Sequence, residues 1–111
     1  MEALIQGTGR SGRAWVRYEF LVPTQYNEGN NVEPLKFECL GILLTEFFHG
    51  YSRYAGAGRW ESYPEERHIK YQIDVPDRKF NREFFEYFKA VLKKWFRQED
   101  IWMTRGKIDV V

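Results

Sequence analysis

A strict alternation of apolar and polar residues in segment 68–75 constrains the fold more than any other feature of the sequence. Every second position of this segment holds an apolar side chain: Ile69, Tyr71, Ile73 and Val75. The positions between them hold His68, Lys70, Gln72 and Asp74. Because successive side chains of a β-strand point to opposite faces, the alternation predicts a strand that is buried on one face only. Segment 15–22 alternates in the same way, so we expect a sheet that is covered on one side.

Two longer segments have the spacing of amphipathic helices. Pro34 suits the first position of a helix and Gly50 suits the position after its end, so we predict a helix over residues 34–48. Its apolar residues at helical spacing are Leu35, Cys39, Leu40, Ile42, Leu43 and Phe47. A longer helix is predicted after Pro76 and Asp77. Its expected core-facing residues are Phe80, Phe84, Phe88, Val91 and Trp95.

Each predicted helix also carries a second apolar stripe. The additional residues are Phe37, Leu44 and Phe48 on the first helix, and Phe85, Leu92 and Phe96 on the second. Two stripes per helix exceed what one small sheet needs to cover it. The surplus favours either contact between the two helices or self-association of the protein.

Two further segments complete the predicted architecture. Residues 51–61 indicate a strand whose end is broken by Gly56 and Gly58, and residues 101–111 indicate a last strand interrupted at Gly106. The order is strand, helix, strand, strand, helix, strand. Right-handed crossovers fold this order into a ferredoxin-like α+β domain, with a four-stranded antiparallel sheet and two helices on one face. We therefore predict a flexible N-terminal arm over residues 1–13 and a single domain over residues 14–111.

Composition excludes several classes of function. A chain of 111 residues supports one domain, and its net charge of +1 lacks the basic excess that nonspecific nucleic-acid binding requires. Cys39 is the only cysteine, which argues against a disulfide framework and a cysteine zinc site. Residues 1–14 lack the basic start and apolar stretch of a signal peptide, so we expect a cytoplasmic protein.

No cofactor or metal is expected from the motifs. Residues 7–12 read Gly-Thr-Gly-Arg-Ser-Gly and match the letters of a dinucleotide fingerprint, but no predicted strand precedes them and no helix follows them. His49 and His68 are the only histidines, and Glu46 lies close enough to His49 for a sparse metal site or a general base. The position of His49 at a helix end favours a structural role instead.

The connection between the second and third strands is the predicted ligand-binding site. Its candidate ligand-binding residues are Arg53, Arg59, Trp60, Arg67 and His68. Arginine offers paired hydrogen bonds to a phosphate or carboxylate, tryptophan offers a stacking face, and glycine lets a ligand approach the backbone. The alternative is a hairpin in which the indole covers the edge of the core and the charges are solvated.

These observations leave three classes of function. The first is a small noncatalytic oligomeric binding or regulatory module that recognises a small anionic ligand, a nucleotide or a protein partner. The second is a small enzyme with a site at a subunit interface, although the sequence contains no nucleophile and base at a recognisable spacing. The third is a nucleic-acid-binding domain that uses the open sheet face, but the third predicted strand lacks the stacking aromatics of RNA-recognition domains.

In length and element order the chain is similar to the PII-like signalling proteins. Gly106, Lys107 and Ile108 resemble a fragment of that family's Gly-Lys-Ile segment, whereas Thr104 and Arg105 depart from its motif. The resemblance implies a long loop between strands two and three and nucleotide sites between subunits.

Overall fold

The computed structural model describes residues 14–111. Its strands and helices are β1 (Trp15–Pro23), α1 (Pro34–Phe48), β2 (Ser52–Gly58), β3 (Glu66–Pro76), α2 (Lys79–Trp95) and β4 (Met103–Ile108). This is the predicted order, and the bounds of the first predicted helix agree with those of α1. The predicted arm over residues 1–13 lies outside the described residues. No helix in the described part is long and apolar enough to cross a bilayer.

The four strands form one antiparallel sheet in the order β2-β3-β1-β4. Together with the two helices, this topology is ferredoxin-like, as predicted. The central pair aligns Arg17 with Asp74 and Phe20 with Tyr71. The register therefore brings the polar residues of β1 and β3 to one face and their apolar residues to the other.

The core lies between the apolar sheet face and both helices. Its sheet residues include Val16, Tyr18, Phe20, Val22, Tyr71, Ile73 and Val75. The Tyr18 ring stacks on Phe85 of α2 with 3.8 Å between centroids, and Phe20 meets Phe88 edge-on. Phe48 of α1 stacks on Phe85 as well, so the aromatic rings connect the sheet to both helices.

Both helices are rotated relative to the predicted stripes. The buried residues of α2 are Asn81, Phe85, Phe88 and Leu92, and those of α1 are Leu40, Gly41, Leu44 and Phe48. Three residues from the predicted stripes are instead exposed: Phe80 at 59%, and Leu35 and Ile42 at 64% each. The polar Asn81 belongs to the inner stripe because its amide donates to the Pro76 carbonyl at 2.8 Å. A prediction from the spacing of apolar residues alone does not identify a buried polar residue such as Asn81.

Two predicted details at element ends are wrong. His49, not Gly50, ends α1 in the left-handed conformation at φ 62°, and its N–H donates to the Thr45 carbonyl. The last strand is not interrupted at Gly106, because this residue pairs with Arg17 inside the β1–β4 ladder. In both cases backbone hydrogen bonds decide the conformation. The presence of a glycine permits a helix end or a break in a strand but does not require either.

Candidate functional site

β2 is an edge strand that the rest of the fold leaves open on both faces. Its side chains are exposed from Ser52 to Ala57, and only Gly58 is half-buried. No strand among residues 14–111 pairs with its outer edge. The two faces of β2 therefore border two different surfaces, the open sheet face and a groove beside α1.

Ion pairs neutralise the middle of the open sheet face. Arg17 donates to both carboxylate oxygens of Asp74 at 2.8 and 3.0 Å, and this contact raises the pKa of Arg17. The Lys70 ammonium lies 3.5 Å from Glu19 and 5.3 Å from the centre of the Tyr54 ring. The open face thus carries no large excess of either charge along β1 and β3.

Two glycines of β2 make room for the chain's own aromatic rings. A Cβ on Gly56 would lie 2.9 Å from His68 Nε2, and one on Gly58 would lie 2.6 Å from Trp60 Cη2. The His68 and Trp60 rings lie beside each other with 6.3 Å between centroids. His68 Nδ1 is buried and has no hydrogen-bond partner. The glycines therefore form a floor on which an imidazole and an indole are held close to the backbone.

A cleft of about 240 Å³ opens at this end of the sheet. It is lined by Leu21, Pro23, Trp60, Glu66, His68, Gln98, Asp100, Ile101 and Trp102. The Trp60 and Trp102 side chains are 49% and 66% exposed. A hydrogen bond from Lys89 lowers the pKa of Asp100, so this carboxylate stays charged near neutral pH. The cleft combines flat apolar rings with hydrogen-bond acceptors, the usual composition of a small-molecule site.

A groove runs along the other face of β2. Two adjoining cavities of about 700 and 620 Å³ lie between α1 and β2 and share Phe37, Glu38 and Arg53. On β3, opposite Arg53, the Tyr71 hydroxyl is buried without a hydrogen-bond partner. Burial raises the pKa of Tyr71, and the nearby Arg53 guanidinium opposes this shift. This groove is larger and more open than the cleft.

The structure divides the predicted ligand-binding residues between these surfaces. Trp60 and His68 meet in the cleft. Arg53 and Arg67 belong to the helix-side register positions of β2 and β3, and Arg59 is exposed in the connecting loop beside Trp60. Within residues 14–111 none of the three arginines forms an ion pair. By contrast, ion pairs are formed by Arg17, Arg82, Arg97 and Arg105, among others.

Sequence reasoning missed Trp102 and Asp100. Both precede β4 and reach the cleft because the Leu21 N–H donates to the Trp102 carbonyl at 3.1 Å. The predicted topology contained the signal for this contact. In a ferredoxin-like sheet the start of the last strand lies beside the end of the first, where Pro23 also pairs with His68.

No known protein family, curated protein or solved structure matches this chain. The long loop implied by the resemblance to PII-like proteins is also not found, since residues 59–65 alone connect β2 to β3. The described residues contain no group of three or more His, Cys, Asp or Glu side chains that could hold a metal ion. A functional proposal therefore depends on the geometry of the chain itself.

Proposed function

We propose that the chain is a small noncatalytic binding module that holds a nucleotide-like ligand in the cleft between Trp60, His68 and Trp102. The observation that carries the proposal is the pair of exposed indoles beside an imidazole on a glycine floor. Large exposed aromatic side chains cost free energy unless they meet a partner, and a planar base is one that fits them.

The polar groups of the cleft match the edge of a nucleobase. Glu66 and Asp100 offer carboxylate oxygens that accept hydrogen bonds from ring or exocyclic N–H groups, and Gln98 offers both a donor and an acceptor. A cleft of about 240 Å³ lies below the roughly 300–1,000 Å³ typical of drug-sized ligand pockets. It suits a single planar ring system whose sugar and phosphate remain outside.

Arg59 is the residue that would bind the anionic end of the ligand. It directly follows β2, precedes Trp60 and is exposed, without an ion pair in the described part of the chain. A guanidinium in this position can bind phosphate oxygens while the adjacent indole stacks on the base. Arg53 and Arg67 occupy helix-side positions and are not assigned to this ligand.

The test is a thermal-shift screen with nucleosides and nucleotides, followed by calorimetric titration of the compounds that raise the melting temperature. Trp60→Ala should weaken binding by about five- to 150-fold, because base stacking on an aromatic side chain contributes roughly 1–3 kcal/mol. Arg59→Ala should weaken nucleotide binding but leave nucleoside binding unchanged.

The matched control is Tyr87→Ala, which removes an exposed aromatic ring from α2, away from the cleft. It should bind with the affinity of the parent protein. The proposal is wrong if no compound raises the melting temperature, or if the Trp60 and Tyr87 variants bind equally well.

A further inference from the structure

The free edge of β2 carries only one of the features that normally protect an exposed strand, the charge of Arg53 near its start. Between Arg53 and Arg59 its residues are Tyr54, Ala55, Gly56, Ala57 and Gly58, without a proline or a charge. At the opposite edge, β4 carries Arg105 and Lys107, both exposed. Natural sheets place charges, prolines or bulges on edges to prevent pairing with another chain. The contrast between the two edges indicates that β2 is an interface and β4 is not.

The groove beside β2 adds an apolar surface to this edge. Its walls include Phe37, Ile42, Tyr51, Ala55 and Ile69. On α1, Leu35, Cys39 and Ile42 follow one another at spacings of four and three residues, so they share one exposed face. A helix with apolar residues on its outer as well as its inner face is typical of a buried helix.

We infer that two copies of the chain pair through β2, antiparallel about a two-fold axis at Ala55, so that their sheets become continuous. Ala55 is the middle residue of β2, and this register therefore pairs the whole strand from Ser52 to Gly58. It also brings the two α1 grooves to the same side of the joined sheet. The inference does not depend on the ligand proposed for the cleft.

The β2 sequence is complementary to itself in this register. Arg53 lies opposite Ala57 of the partner subunit, and Tyr54 lies opposite Gly56 of the partner subunit, where its ring can cover the exposed backbone. A two-fold axis at Gly56 would instead place Arg53 opposite Arg59 and oppose like charges. The groove walls hold Glu38, Glu46 and Arg53, so a two-fold axis can also bring carboxylates of one copy towards the arginine of the other.

The test measures mass by sedimentation equilibrium and light scattering over a micromolar dilution series. The parent protein should change from a dimer to the 13.4 kDa monomer on dilution. Ala55→Lys places two ammonium groups at the two-fold axis and should raise the dissociation constant by up to about fivefold. Ala55 is exposed, and the circular dichroism spectrum and melting temperature at low concentration verify that the variant still folds.

Two further variants control for charge and test the register. Thr104→Lys adds the same charge at an exposed position of the other edge and should leave the dissociation constant unchanged. Ala57→Glu places a carboxylate opposite Arg53 of the partner subunit and should strengthen the dimer.

A parent protein that stays at 13.4 kDa at every concentration would overturn the inference and leave the β2 edge to an extended segment of another protein. Equal effects of the two lysine substitutions would exclude β2 as the interface. Weaker association of the Ala57→Glu variant would exclude the register centred on Ala55.

Discussion

At the scale of single residues, two buried tyrosines of similar exposure have opposite environments. The Tyr26 hydroxyl donates to Glu33 at 2.6 Å and accepts from the Lys36 ammonium, which also donates to the Trp95 carbonyl at 2.7 Å. This network connects the loop after β1 to the start of α1 and the end of α2. The Tyr71 hydroxyl has no hydrogen-bond partner. A hydroxyl group therefore stabilises the fold at one position and costs free energy at the other.

Replacing each tyrosine by phenylalanine should have opposite effects on stability. Tyr26→Phe removes the hydrogen bonds that the hydroxyl makes with Glu33 and Lys36 and should lower the free energy of unfolding by about 1–3 kcal/mol. Tyr71→Phe removes an unsatisfied buried hydroxyl and should leave stability unchanged or raise it by up to about 1 kcal/mol. Urea denaturation measures both values. A loss of more than about 1 kcal/mol in Tyr71→Phe would indicate a hydrogen bond at this hydroxyl.

At the scale of elements, the register of α2 is set by contacts with the sheet. Two apolar stripes fit the helical period, and the buried face observed in the structure shares only Phe88 with the stripe predicted to face the core. Docking on Tyr18 and Phe20 selects the stripe of Phe85 and Leu92 and leaves Phe80 in solvent. The energetic importance of the phenylalanines of α2 should follow this register.

Two alanine substitutions in α2 test the register. Phe88→Ala should lower the free energy of unfolding by roughly 3–5 kcal/mol, because it leaves a cavity between α2 and the sheet. Phe80→Ala should change it by no more than about 0.5 kcal/mol, since this side chain is 59% exposed. Similar losses in the two variants, measured by chemical denaturation, would contradict the observed rotation of α2.

The end of α1 permits a stabilising substitution. His49 adopts φ 62°, where its Cβ is strained, so His49→Gly should raise the free energy of unfolding by about 0.5–1 kcal/mol. Gly50→Ala is the matched control. A Cβ at this position meets nothing within 4 Å, so the substitution should not lower the free energy of unfolding. Thermal and urea denaturation of both variants give the comparison. If the His49→Gly protein were less stable than the parent, the imidazole would have to make a contact that stabilises the fold by more than the backbone strain destabilises it.

At the scale of the whole molecule, charges are paired rather than segregated. The net charge is +1, and ion pairs connect β1 to β3, α2 to the segment after it, and the first turn of α1 to the residue before it. Two carboxylates have a lowered pKa, Glu33 through the hydrogen bond from Tyr26 and Asp100 through that from Lys89. The stability of the whole fold is therefore linked to pH on the acid side.

Acid should destabilise the protein through these two groups. Because their pKa values are lower in the folded than in the unfolded state, their contribution is fully present above the unfolded values of about 4 and is lost as the pH falls through the folded values. The double variant Glu33→Gln with Asp100→Asn should lose less stability than the parent protein when the pH falls from about 6 to about 3, an interval that spans the unfolded pKa values of both carboxyl groups. Glu99→Gln, which removes an exposed carboxylate, should keep the dependence of the parent protein. Identical pH profiles for all three proteins would exclude this linkage.

The sequence by itself determined the order of the elements and the faces of the sheet. Alternation along β1 and β3 is a local property, because each side chain points to a face fixed by its position in the strand. The same reasoning located Trp60 and His68 near the connection between β2 and β3, and the structure brings these two rings together.

Tertiary structure alone decided the rotation of the helices and the composition of the two surfaces around β2. A helix can present either of two apolar stripes, and only docking against particular rings selects one. Trp102 joins the cleft, and Arg53 joins the groove, through strand pairing between segments that are distant in the chain. Local patterns contain no information on which distant segment becomes a neighbour, since this depends on the packing free energy of the complete sheet.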